Sequence, residues 1–261
     1  MRVSFQRLLK QALFVIGAGM VAVCANARAD ELIVSAAASL TNAFKAIGAA
    51  YEQQHPGTKV LLNFGASDVL MQQIVKGAPA DVYASADQKA MDKAVAEKVV
   101  DPATRQDFAA NALVLIVPKD SQFMPTSLDA LAQPGVKRVA FCDPASVPIG
   151  RYAKGALEAA GLWDAVNAKS VLAGDVRQSL DYVSRGEVDA GFVFATDAAI
   201  MPERVRVAMT VPTQTPVTYP IALVDGSRHA ADAKAFIAYV LSPAGQAILA
   251  KYGFKPVGTA H

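Results

Sequence analysis

Residues 36–42 read Ala36-Ala37-Ala38-Ser39-Leu40-Thr41-Asn42, and residues 63–68 read Asn63-Phe64-Gly65-Ala66-Ser67-Asp68. Each stretch leaves an apolar, strand-like segment, reaches a serine and opens into a helical pattern. A serine at a helix start either caps the first turn or turns its hydroxyl outward beside the free backbone N–H groups. Val147-Pro148-Ile149-Gly150 and Gly174-Asp175-Val176-Arg177 repeat the strand-to-helix character further along. Four such ends on one molecule would make a cradle for a small anion.

Working outward, strands are expected at 32–37, 59–64, 81–84, 112–118, 138–142, 170–172, 190–194 and 217–224. Helices are expected at 40–54, 68–76, 88–97, 150–160, 176–185, 230–241 and 243–252, the last opened by Ser242-Pro243 as N-cap and first helical residue. Alternation of this kind predicts an α/β fold with parallel strands joined by crossover helices. The length fits two α/β lobes of roughly 100–130 residues each. Ligands of open α/β sheets bind at the carboxyl ends of the strands. All four helix starts lie at such ends, two in each half, so a ligand touching all of them would occupy the cleft between lobes.

The first 29 residues differ from the rest. Arg2, Arg7 and Lys10 precede 12 apolar or glycine residues, Ala12 to Val23, and then Ala27-Arg28-Ala29. This is the pattern of a secretory signal peptide cut before Asp30, and the apolar run is too short to span a bilayer. The leader holds four of the 25 basic residues and none of the 23 acidic ones, so the chain's +2 becomes −2 once it is removed. With no basic stripe and no interleaved aromatics, nucleic acid is not an expected partner. Cys24 leaves with the leader. Cys142 stays alone in the apolar run Val139-Ala140-Phe141-Cys142 and is expected to be a small buried core residue.

Enzyme signatures are absent from the sequence. It has no Gly-x-Ser-x-Gly elbow and no Ser-x-x-Lys, and its three histidines, His55, His229 and His261, stand apart from any nucleophile or zinc spacing. A secreted hydrolase is therefore the remote alternative to a binding protein.

The chain resembles the periplasmic molybdate-binding proteins of ABC transporters, a branch of the two-lobed (type II) periplasmic binding proteins. The resemblance rests on the Ala36–Thr41 run, Gly77-Ala78-Pro79-Ala80-Asp81-Val82-Tyr83, Ser85-Ala86-Asp87-Gln88, Asp143-Pro144, Val147-Pro148-Ile149-Gly150-Arg151-Tyr152-Ala153-Lys154, Asp175-Val176-Arg177 and Lys251-Tyr252-Gly253-Phe254. It implies two lobes, each a mostly parallel sheet flanked by helices, with 30–110 and 213–261 in the first and 111–212 in the second. It implies capture of molybdate, and of tungstate, in the periplasm for a membrane permease, by a monomer without cofactor. The oxyanion contacts it implies are the hydroxyls and amides of Ser39 and Ser67 and the backbone N–H groups of Ile149 and Val176, with no protein atom on the metal itself. A fifth family contact is a tyrosine. Here that place reads Val193-Phe194-Ala195-Thr196-Asp197, so Phe194 stands where the phenol would be.

Molybdate is a tetrahedral dianion with four acceptor oxygens. Hydroxyls and helix-start amides can satisfy it without a buried cation, and the helix dipoles add to the attraction. Hydrogen phosphate brings a proton that needs an acceptor, which a donor-only cradle lacks. Sulfate and thiosulfate obey the same rules as molybdate and form the alternative ligand class. Asp175, followed by Gln178, reads as a structural cap, Arg151 as a solvated first-turn residue, and Thr196 as a cap or a substitute donor.

Overall fold

The computed structural model describes residues 30–258; the expected leader lies outside the described residues. In chain order the strands are β1 (Asp30–Ala37), β2 (Thr58–Gly65), β3 (Val82–Ala84), β4 (Gln106–Asn111), β5 (Leu113–Pro118), β6 (Val139–Cys142), β7 (Ser170–Ala173), β8 (Ala190–Phe194), β9 (Val205–Val211) and β10 (Val217–Leu223). The helices are α1 (Thr41–Gln54), α2 (Ser67–Val75), α3 (Gln88–Ala96), α4 (Asp129–Ala132), α5 (Pro148–Ala159), α6 (Trp163–Asn167), α7 (Val176–Ser184), α8 (Ala195–Ala198), α9 (Ala230–Leu241) and α10 (Pro243–Lys251).

The strands form two sheets of five, ordered β2-β1-β3-β10-β4 and β7-β6-β8-β5-β9. In each, four strands run one way and the strand second from one edge, β10 or β5, runs against them. The two sheets thus share one topology, and the expected two-sheet α/β architecture is present. The chain passes from the first sheet to the second between β4 and β5, with Ala112 as the only intervening residue, and returns between β9 and β10.

Interior strands are apolar on both faces because helices cover both. Leu113–Val117 of β5 are all buried. On α1, Ala43, Phe44, Ile47, Gly48 and Tyr51 form the buried stripe, at the spacing that keeps one helical face inward. Phe44 and Tyr51 pack there against Phe236 of α9. Two strands were not expected, β4 and β9. Both lie at sheet edges, where the sequence is more polar and one flank pairs with no further strand; on β4 that flank meets only Lys255, which bridges Ala110.

Cys142 is a buried free thiol at the end of β6, as expected, and burial pushes it well above its ordinary pKa. Its carbonyl oxygen is overlain so closely by α5 that a Cβ on Gly150 would collide with it. Only glycine allows α5 to start this near the strand end. Gly150→Ala is expected to lose about 1–3 kcal/mol of stability as the helix is pushed away, read as a lower melting temperature in thermal denaturation. An unchanged melting temperature would show that α5 relocates without cost.

Candidate ligand-binding site

The helix starts converge. A small cavity lies between the two sheets, and Ser39, Ser67, Ile149, Val176 and Phe194 all line it. Ser39 sits in the 3-10 turn Ala38–Leu40 that follows β1. Ser67 is the first residue of α2, after β2. Ile149 is the second residue of α5, and Val176 the first of α7, after β7. Phe194 ends β8. Backbone N–H groups in a first helical turn have no intrahelical acceptor, so those of Ser67, Ile149 and Val176 are donors held ready.

Neither serine acts as an N-cap, which is one of the two readings its sequence position permits. The turn at Ala38 and helices α1 and α2 have no side-chain cap bond. Instead Ser67 Oγ accepts the N–H of Ala86 at 3.1 Å, and its carbonyl accepts the Tyr83 hydroxyl at 2.9 Å. Ser39 Oγ lies 3.1 Å from Tyr219 Oη. With a backbone N–H already donating to it, the Ser67 hydroxyl has its own hydrogen left to give.

Among the described residues no lysine or arginine lines the cavity. Asp175, the one charged residue there, is the structural cap expected: Oδ1 accepts the N–H groups of Arg177 and Gln178 at 2.8 and 3.1 Å. Gln178 reaches back to the Gly174 amide at 2.6 Å. Arg177 turns away from the cavity. It donates to Asn42 Oδ1 at 2.9 Å and to the Ser39 carbonyl at 3.2 Å, and its Nε stands 2.7 Å from Asp197 Oδ1 without hydrogen-bond alignment. Burial pushes the Asp197 carboxyl up to about 7 against the pull of Arg177.

Arg151 corrects the sequence reading. It is not solvated: it bridges the two halves, with Nε 2.7 Å from Asp87 Oδ2 and Nη2 2.7 Å from Asp68 Oδ2. Lys93 holds the other Asp68 oxygen. The Arg151 side chain is 12% exposed, and those of Asp68 and Asp87 are 5% and 6%. Both carboxylates sit among helix starts of the first sheet, Asp68 in α2 and Asp87 as the N-cap of α3, while Arg151 lies in α5.

Phe194 is both core and lining. It is buried, its ring packs edge-on against Tyr152 and Tyr219, and it borders the cavity. Thr196 does not cap α8; its hydroxyl accepts from Asn111 Nδ2 at 2.8 Å. Among the described residues no cluster of three or more His, Cys, Asp or Glu is placed to hold a metal ion.

Residues 32–255 match the model of one family, described as bacterial extracellular solute-binding protein. The chain belongs to this family. Among its relatives is the molybdate-binding protein ModA of Escherichia coli K12, 41% identical over 252 residues that cover 93% of this chain and 96% of that one. Among solved structures, the periplasmic molybdate-binding protein of Azotobacter vinelandii superposes with a TM-score of 0.74 at 24% identity, covering 86% of this chain and 98% of that one. The sulfate-binding protein SubI of Mycobacterium tuberculosis gives 0.79 at 20% identity, covering 88% of each. At these identities the structural likenesses speak to the fold of this solute-binding protein alone.

Sequence reasoning missed Asp68, Asp87, Asn111 and Tyr219. Asp68 and Asp87 stood within quoted stretches, but nothing local tells that a carboxylate at a helix start will meet an arginine 83 or 64 residues later. Tyr219 lies in β10, which returns to the first sheet after the whole second sheet has formed.

Proposed function

We propose that this solute-binding protein captures molybdate, or the similarly sized tungstate, in the cavity between its sheets and delivers it to the permease of an ABC transporter. The reading takes residues 30–110 with 213–261, and residues 111–212, as two lobes that close on the anion. It places the capture in the periplasm, by a monomer that needs no cofactor and catalyses no reaction. The observation that carries it is the cavity itself, where helix-start amides and two serine hydroxyls meet from both sheets with no cation among them. The identity with a named molybdate-binding protein supports the choice of ligand.

The test is a titration of refolded protein freed of bound anion, by calorimetry and thermal melting, with molybdate, tungstate and sulfate. At a hundredfold excess over Kd, a ligand bound only by the folded form adds about 2.7 kcal/mol of stability. Molybdate and tungstate should each give heat and a raised melting temperature. A response to sulfate alone would transfer the protein to the alternative ligand class.

Phe194 offers a second check. Phe194→Tyr adds a phenol at the cavity wall, where it should donate to an oxygen of the anion. Binding is expected to tighten by about 0.5–3 kcal/mol, depending on whether an ordered water is displaced. Weaker molybdate binding together with a lower melting temperature would place the ring outside the ligand's reach.

A further inference from the structure

Ser39 is held from behind by a chain of buried side chains whose hydrogen-bond direction can be worked out. Asn111 closes β4, at the point where the chain leaves the first sheet. Its Oδ1 accepts the Ala112 N–H at 2.9 Å, which fixes the amide orientation, because a backbone N–H only donates. Its Nδ2 therefore carries the donors. One goes to Thr196 Oγ1 at 2.8 Å and the other to Tyr219 Oη at 3.2 Å. Tyr219 Oη has two partners, Asn111 Nδ2 and Ser39 Oγ. Since Asn111 is the donor, the phenol hydrogen has one acceptor left, Ser39 Oγ. Tyr219 is fully buried, and turning that hydrogen elsewhere would leave it without an acceptor. Burial, reinforced by the Asp197 carboxylate, pushes the phenol well above its ordinary pKa, so it keeps its hydrogen.

We infer that Tyr219, oriented by Asn111, is a positioning residue that locks the Ser39 hydroxyl as a donor toward the cavity and so sets the site against protonated oxyanions. The inference rests on the oxyanion reading above and deepens it. Ser39 accepts from Tyr219, so its own hydrogen points to the ligand. Ser67 is locked the same way by the Ala86 N–H. Without such locks a serine hydroxyl rotates and accepts as readily as it donates. It could then take the proton of hydrogen phosphate. With both locks in place each serine turns its hydrogen to the ligand, and Asp175, the one carboxylate on the cavity wall, is already engaged by the Arg177 and Gln178 N–H groups, so that proton is poorly received.

Tyr219→Phe removes the lock and keeps the ring, which packs edge-on against Phe108, Phe194 and Phe254. Calorimetry at pH 8 compares wild type, Tyr219→Phe, Ser39→Ala and the double variant, with molybdate and with inorganic phosphate. Tyr219→Phe should weaken molybdate about fivefold, the worth of one ordinary hydrogen bond. It should weaken phosphate less or strengthen it, so that the molybdate-to-phosphate ratio falls. In the Ser39→Ala background the same substitution should change molybdate affinity less than twofold. A full fivefold loss in that background, or an unchanged selectivity ratio, overturns the positioning role, because a purely structural tyrosine would act in both backgrounds and on both anions alike. Neutron diffraction of the wild-type complex is independent of any variant's folding. Deuterium on Tyr219 Oη directed at Ser39 Oγ is expected, and deuterium on Ser39 directed at Tyr219 overturns the inference. Failure of the oxyanion reading shows separately, as a wild-type protein that binds no oxyanion. If it binds sulfate in place of molybdate, the same comparison runs with sulfate and the same outcomes decide.

Discussion

Arg151→Met is expected to weaken molybdate binding by about 100- to 1,000-fold. Arg151 is the cation shared by Asp68 and Asp87 across the two halves, and all three side chains are almost wholly withdrawn from water. Removing one member of a buried ion pair costs about 3–5 kcal/mol, because the charge left behind loses its counter-ion where little solvent can replace it. Lys93 remains on Asp68, so Asp87 bears most of the loss. On the lobe closure proposed above, that cost falls on the closed arrangement, because parting the halves would let water reach both carboxylates. The variant should therefore fold with ordinary circular dichroism, stay more open, and need more ligand to close. Calorimetry measures the affinity, and small-angle scattering should show a larger radius of gyration than wild type at equal molybdate. An unchanged Kd would mean that the ion cluster does not report on closure.

Ser39→Ala and Ser67→Ala are each expected to weaken molybdate binding about 10- to 100-fold, the cost of one hydrogen bond to a charged oxygen. The two should differ in stability. Ser67→Ala strands the buried N–H of Ala86, and an unsatisfied buried donor costs about 1–3 kcal/mol. Ser39→Ala strands the phenol hydrogen of Tyr219 instead, next to a cavity that water can enter. Affinity by calorimetry and melting temperature without ligand separate the two effects. Unchanged affinity in both variants would confine the serines to supporting their own loops.

Much of the fold was legible because it is written in local period. The short, β-branched apolar run Leu113–Val117 reads as a strand covered on both faces, and the stripe from Ala43 to Tyr51 as one face of a helix. The edges β4 and β9 were illegible for the opposite reason: an edge strand is covered less evenly, and Gln106–Asn111 carries no apolar period of its own. The candidate site was legible as four strand-to-helix transitions, since a helix that begins at a strand end must present free amides there whatever surrounds it. The serines were read with two meanings left open. Their actual partners, Ala86 and Tyr219, are 19 and 180 residues away and carry no local signal.

By itself, then, the sequence determined the α/β alternation, the places where helices begin, the buried Cys142 and the structural cap at Asp175. Each depends on residues within one or two turns of one another. Tertiary structure alone decided that the four helix starts share one cavity, that Arg151 spends its charge on Asp68 and Asp87, and that Asn111 and Tyr219 stand behind Ser39. Those outcomes depend on where the chain crosses from one sheet to the other and back, at Ala112 and again between β9 and β10. A hydrogen bond or ion pair acts over about 3 Å, and only the folded chain brings such distant residues that close.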